Sequence, residues 1–310
     1  MTIKQALTGI IQLKNKPKIK FPHFEAEILL SHIIKKPREY LFAHPEAELT
    51  ASQITNYKLQ ITRRSKGMPI AYLTGEKEFY GLKFLVNKNV LVPRPETELM
   101  AEEAVKLAKT IQAPITFIDV GTGSGCIVIT LAKLLANFGF SIFDFRFYGL
   151  DISSIALKTA QKNAKLHSVS KQIHFLKSNL LDSLPKSKIQ NPQSKIFLAN
   201  LPYLTPAQIK NSPTIKYEPK IALSAGSDGL KYYRKLFFQI HPLRLRSEAG
   251  KLPACPPMRR VANFIILCEI DPSQKTSIKR LARRLLPPHE FTLKRDLRGH
   301  NRLAIITNKQ

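Results

Sequence analysis

The stretch "FIDVGTGSGCIVITLA", Phe117 to Ala132, restricts the fold of this chain more than any other. An apolar run ends on an acid, Asp119, and Gly121, Thr122, Gly123, Ser124 and Gly125 then turn the chain into an apolar helix. Glycine is needed where backbone takes positive φ or comes close to a ligand. One such turn is weak on its own, so the flanking sequence has to show whether a sheet is built around it.

From about residue 95 the pattern is strand and helix in alternation. "PETELMAEEAVKLAKTI" reads as an amphipathic helix with acids in its early turns, where the helix dipole favours them. Strands are expected at "ITFIDVG", "FRFYGLDIS", "IHFLKSN", "KIFLANLPY" and "NFIILCEI", with helices at "CIVITLAKLLANF", "SIALKTAQKNAKLHS" and "QKTSIKRLARRLL". "HEFTLKRDL" and "NRLAIIT" close the chain. The order predicts an α/β domain over 95–310, a mostly parallel seven-stranded sheet with helices on both faces and an antiparallel edge hairpin. Residues 1–78 read as a small helical domain. "PHFEAEILLSHII" sets Phe24, Ile28 and Leu29 at helical spacing, with Ile33 one turn later. Further helices are expected around Arg38–Ala43 and Ser52–Lys66, punctuated by Gly67 and Pro69. "FYGLKFLVNKNVLVP" alternates apolar and polar residues around "NKN", which predicts a hairpin, so 79–94 is expected to link the two domains.

The glycine spacing narrows the ligand. A dinucleotide turn reads G-x-G-x-x-G and sets a diphosphate at the helix start. Here it is G-x-G-x-G behind an acid, which suits a ligand without a diphosphate. The next strand ends in "YGLDIS", and an acid at Asp151 can accept hydrogen bonds from both ribose hydroxyls of an adenosine. Alone, Asp119 could cap a turn and Asp151 the following helix. The ordered combination points to an S-adenosyl-L-methionine pocket built from Gly121, Thr122, Gly123, Ser124, Gly125 and Asp151. At the third strand end, "KSNLLDSL", the Asn179 amide could meet the adenine amino group and Leu180 could cover its ring.

The fourth strand runs into Asn200, Leu201, Pro202 and Tyr203, beside the crevice where open α/β sheets bind ligands. Methyl transfer to a planar nitrogen needs two acceptors aimed at its N–H groups, because its lone pair is delocalised. The Asn200 side-chain oxygen and a neighbouring carbonyl can serve, with Tyr203 packed against the planar group, so that catalysis is positioning and electrostatics.

Composition sets outer bounds. The chain has 310 residues, 44% hydrophobic and 23% charged, ordinary for a soluble globular protein. No apolar run approaches the roughly 20 residues of a membrane helix. The lysine-rich start has neither a secretory apolar core nor a transit-peptide composition, and reads as the start of a cytoplasmic protein. Cys126, Cys255 and Cys268 lack metal-ligand spacing and the eight histidines are scattered, so no metal site is expected. The net charge of +27 would favour phosphate-bearing partners such as ribosomal RNA or tRNA, and a lysine-biased solvated surface gives the same number.

Asn200–Tyr203 resembles the Asn-Pro-Pro-Tyr motif of amino- and amide-methyltransferases, with Leu201 in place of the first proline. Pro202 still biases Leu201 toward extended backbone, so the carbonyl direction is expected to survive. "RRSKGMPIAYLTGEKEFYGLKFLVNKNVLVPRPETELM", Arg63 to Met100, resembles the joint between the two domains of the peptide chain release factor glutamine N5-methyltransferases. The resemblance covers nearly the whole chain. It implies a helical docking domain and a Rossmann-like class I methyltransferase domain that modifies the glutamine of a release factor's Gly-Gly-Gln loop with S-adenosyl-L-methionine. By motif, Asn200, Leu201, Pro202 and Tyr203 would hold the amide, and Pro93-Arg94-Pro95-Glu96-Thr97-Glu98 would wall the site near the methyl group. Asn179 departs from the family's usual aspartate. The basic, proline-rich stretch "RLRSEAGKLPACPPMRRVANF", 244–264, replaces a usual glycine pair. Two other readings share the motif: N6-adenine methylation of nucleic acid, and a noncatalytic RNA- or ribosome-associated binding protein.

Overall fold

The computed structural model describes residues 1–9, 22–111, 114–138, 145–184, 194–212, 215–241 and 264–308. Cys255 and the basic stretch from 244, up to Phe264, lie outside them. Among the described residues no helix is long and apolar enough to cross a membrane.

The N-terminal part holds α1 (Ile3–Thr8), α2 (Pro22–Ile34), α3 (Arg38–Ala43), α4 (Ala51–Ser65) and α5 (Ile70–Thr74). Thr2 and Thr50 form capping boxes with Gln5 and Gln53, satisfying amides that a helix start leaves open. Ala26, Leu29 and Leu30 of α2 pack on Leu41, Tyr57, Ile61 and Leu73. The Glu25 carboxylate, buried, pairs with Arg64 of α4 at 2.7 Å. Phe24 is not in this core. It is 49% exposed and lies beneath the Arg38 guanidinium. At roughly 100° per residue, positions 24 and 28 fall nearly opposite Ala26, so the buried stripe runs through 26, 29, 30 and 33.

A hairpin of β1 (Glu76–Phe79) and β2 (Leu82–Leu85) follows. It turns at Tyr80 and Gly81, with φ of 53° and 70°, not at "NKN". Two successive positive φ values give the turn whose twist matches paired strands. Asn87 instead makes its own turn, its Oδ1 accepting from the Asn89 amide at 2.9 Å. Phe79 and Phe84 are buried in the core of the following domain.

After a 3-10 turn at Pro95–Thr97, that domain runs α6 (Glu98–Thr110), β3 (Ile115–Val120), α7 (Cys126–Asn137), β4 (Phe145–Asp151), α8 (Ser154–Leu166), β5 (Ile173–Lys177) and β6 (Ser194–Ala199). Then come α9 (Pro206–Lys210), α10 (Lys231–Ile240), β7 (Phe264–Glu269), α11 (Lys275–Leu285), β8 (Glu290–Arg295) and β9 (Asn301–Asn308). α10 is not among the expected helices, although Tyr233, Leu236, Phe237 and Ile240 follow the helical period. The seven strands stand in the order β5-β4-β3-β6-β7-β9-β8, parallel except for β9, which is antiparallel to both neighbours. β3 is buried along its whole length, as a central strand covered on both faces must be. Its last residue, Val120, pairs with Leu150 of β4 and Ala199 of β6, so three strands end level at one edge.

Candidate active site

At that edge the Gly121 and Thr122 amides both donate to the Leu150 carbonyl at 2.8 Å, anchoring the turn after β3 to β4. Gly121, Gly123 and Gly125 have φ of 77°, 56° and 82°, the left-handed region that side chains avoid. A Cβ on Gly125 would lie 2.8 Å from Ile129 Cδ1 and 3.2 Å from Ala160 Cβ. Asn163 of α8, fully buried, donates to the Ser124 carbonyl at 2.8 Å and exchanges hydrogen bonds with the Leu85 backbone. The turn is thus clamped between the hairpin and α8.

Two acids stand at the strand ends. The Thr122 hydroxyl donates to Asp119 Oδ2 at 2.6 Å, and burial pushes the Asp119 carboxyl up to about 7. Asp119 Oδ1 and Ser124 Oγ are buried without a hydrogen-bond partner among the described residues. Asp151 Oδ2 accepts from the Gly123 amide at 2.9 Å and Oδ1 from the Ser153 amide at 2.8 Å. Burial raises its carboxyl, and these amides act in the opposite direction. Ser153 itself caps α8, so Asp151 is not the capping residue.

A cleft open to solvent lies over this edge. Gly121 to Ser124, Asp151, Asn179, Leu180 and Asn200 to Pro202 all line it. Gly125 and Tyr203 do not. Leu180 is buried with φ of 56°, and Asn179 beside it is exposed. Leu201 is also buried, and its Cδ2 would sit 3.1 Å from a Cβ on Gly121, so leucine fills the space against the bare glycine turn.

Asn200 Nδ2 donates to Thr97 Oγ1 at 3.0 Å, and Thr97 donates to Glu269 Oε2 at 2.6 Å. The Tyr203 hydroxyl donates to Glu269 Oε1 at 3.2 Å, and its ring packs on the core instead of the cleft. The Tyr233 hydroxyl donates to the Glu269 carbonyl and lies 3.2 Å from that of Ala199, tying the ends of β6 and β7 together. Burial raises the Glu269 carboxyl, against the opposing pull of Thr97, Arg302 and Tyr203. Glu218, a buried acid, accepts from the Val92 amide at 3.3 Å and from Arg94 at 2.5 Å, fixing the segment that walls the cleft.

Glu269 and Glu218 are not among the residues expected from sequence. For Glu269 a signal existed: "FIILCE" is an apolar strand closed by an acid, as are the strands ending at Asp119 and Asp151. No comparable pattern marks Glu218.

S-adenosyl-L-methionine fits these residues. The glycine turn leaves backbone bare toward the cleft, Asp151 is a carboxylate in its lining, and two buried polar atoms beside the turn have no partner among the described residues. Sheet order, turn and strand-end acids define a class I S-adenosyl-L-methionine-dependent methyltransferase. Comparison with known proteins agrees. The PrmC N-terminal domain family matches residues 5–75, and a methyltransferase domain family matches 111–214. Release factor glutamine methyltransferases of Koribacter versatilis and Coxiella burnetii are 36% and 37% identical to this chain, over 77% and 74% of it and 81% and 77% of their own lengths. A bifunctional methyltransferase of Rickettsia typhi is 35% identical over 75% of this chain, which spans 46% of that longer protein. The hMettl16 catalytic domain, solved with a MAT2A 3'UTR hairpin, shares the fold at 15% identity and a TM-score of 0.52, over 84% of this chain and 82% of that one. The chain belongs to the release factor glutamine methyltransferase family.

Proposed function

We propose that this protein methylates N5 of the glutamine side chain in the Gly-Gly-Gln loop of peptide chain release factors. The observation that carries the reading is the Asn200 amide. Its nitrogen is engaged by Thr97, and its Oδ1 takes no hydrogen bond from the described residues at the wall of a cleft that also holds the glycine turn. An amide nitrogen is a poor nucleophile, and Oδ1 with the Leu201 carbonyl can accept its two N–H groups and favour pyramidal geometry. S-adenosyl-L-methionine, when bound, supplies an electrophilic methyl group, the methyl–sulfur bond electrons staying on sulfur as the nitrogen pair forms the new bond and one N–H proton goes to solvent. Gly121 to Gly125 and Asp151 would hold the donor, and Asn179 and Leu180 would border the adenine. The protein's contribution is orientation and preset dipoles, with no covalent enzyme intermediate.

The reading assigns 1–78 to docking of the protein substrate, 79–94 to the link and 95–310 to the chemistry, and it goes with a cytoplasmic location. Relatives at 34–37% identity carry the release factor name, which supports it over adenine methylation. Tyr203 enters as a support through Glu269. The test is incubation of the full chain with labelled S-adenosyl-L-methionine and its cognate release factor. One methyl group on the loop glutamine is expected, and label that survives replacement of that glutamine by alanine breaks the reading.

A further inference from the structure

We infer that Thr97 and Glu269 are positioning residues that decide which atom of Asn200 faces the cleft; this rests on the methyl-transfer reading above. Both Glu269 oxygens accept, Oε2 from Thr97 and Oε1 from Tyr203, while a hydroxyl has one proton and two lone pairs. Thr97 commits its proton to Glu269 Oε2 at 2.6 Å. Only lone pairs then remain for Asn200, 3.0 Å away, so Asn200 must present its NH₂ group there. Turning the amide over would set two acceptors against each other. Oδ1 is thereby fixed on the opposite side, free for an incoming amide.

The inner end of the arrangement is buried. Thr97 and Glu269 are each 2% exposed, and a buried polar group left unpaired is costly. It is also held from several directions. Ala199 pairs with Cys268, so Asn200 and Glu269 each directly follow the last paired residues of β6 and β7. Tyr203 takes the second carboxylate oxygen. Burial raises the Glu269 carboxyl and Glu96 adds to this, while Arg302, itself paired with Asp296 at 3.2 Å, pulls toward the charged form. The relay joins segments 103 and 172 residues apart in sequence, so it exists only in the folded chain.

Thr97→Val keeps the shape and removes the hydroxyl; Thr97→Ser restores it. In the full chain, Thr97→Val is expected to lower kcat by about 10- to 100-fold with KM for release factor nearly unchanged, and Thr97→Ser to recover most of the rate. A second readout needs no activity. In protein labelled with ¹⁵N-asparagine, one Asn200 side-chain proton should exchange slowly in the wild type and in Thr97→Ser, and fast in Thr97→Val. Should Thr97→Val fail to fold, Glu269→Gln serves, because its NH₂ can donate to Thr97 and release the amide; the same fast exchange is expected. Wild-type protein that leaves release factor unlabelled defeats the functional reading, and the exchange pattern still decides the relay. Exchange in Thr97→Val or Glu269→Gln as slow as in the wild type, or an unchanged kcat in Thr97→Val, overturns it.

Discussion

The two halves of the cleft are made differently. At the glycine turn, recognition is local: Gly121 to Gly125 are consecutive, and three left-handed glycines bend the backbone there. At Asn200 it is assembled: an amide after β6, a hydroxyl before α6 and a carboxylate at the end of β7 meet only when the sheet is complete. One half is written in a single peptide segment and the other in a register of strands. The first should therefore fail by backbone strain and loss of donor binding. The second should fail by loss of rate with binding intact.

The sharpest way to break this comparison is Asn200→Ala. Methyl transfer to release factor should fall about a thousandfold, as when one oriented catalytic group is removed, while calorimetry shows S-adenosylhomocysteine binding unchanged within about threefold. A parallel collapse of both would mean the halves are not separable. Gly125→Ala should act through folding instead. A side chain at φ of 82°, 2.8 Å from Ile129 Cδ1, should lower stability by about 2–4 kcal/mol, read from the urea midpoint. Asp151→Asn keeps volume and removes charge, and should weaken donor binding about tenfold with kcat at saturation little changed.

The smallest effect concerns Asp119. Its carboxyl is held at about 7 against an ordinary 3.8, so the folded state binds this proton more tightly than the unfolded chain. That stabilisation is complete below pH 3.8 and is lost as pH rises to about 7. An amide does not titrate. The stability difference between Asp119→Asn and wild type should therefore move in the variant's favour across this window and level off above it. A flat difference, from denaturant melts at several pH values, would place Asp119 in a solvated setting that the buried turn does not show.

Much of this could be read before the fold was known. The strands and the helices flanking them carry unmistakable periods, and the acids at 119 and 151 sit where apolar runs stop. Other features needed contacts. Phe24 keeps helical spacing yet faces solvent, because spacing fixes which residues share a face and not which face is covered. The hairpin turned at Tyr80 and Gly81, because burial of Phe79 and Phe84 set its register and freed Asn87 for a separate turn. Tyr203 has the right place in its motif, but its hydroxyl goes to Glu269, an acid 66 residues further on.

The strand–helix alternation, the glycine turn and the amide after β6 are local properties, because each depends on residues adjacent in the chain or one helical turn apart. That Thr97 and Glu269 stand behind Asn200 follows from long-range contacts alone. Hydrogen-bond direction among these three groups depends on which strands lie side by side, and no local pattern encodes that.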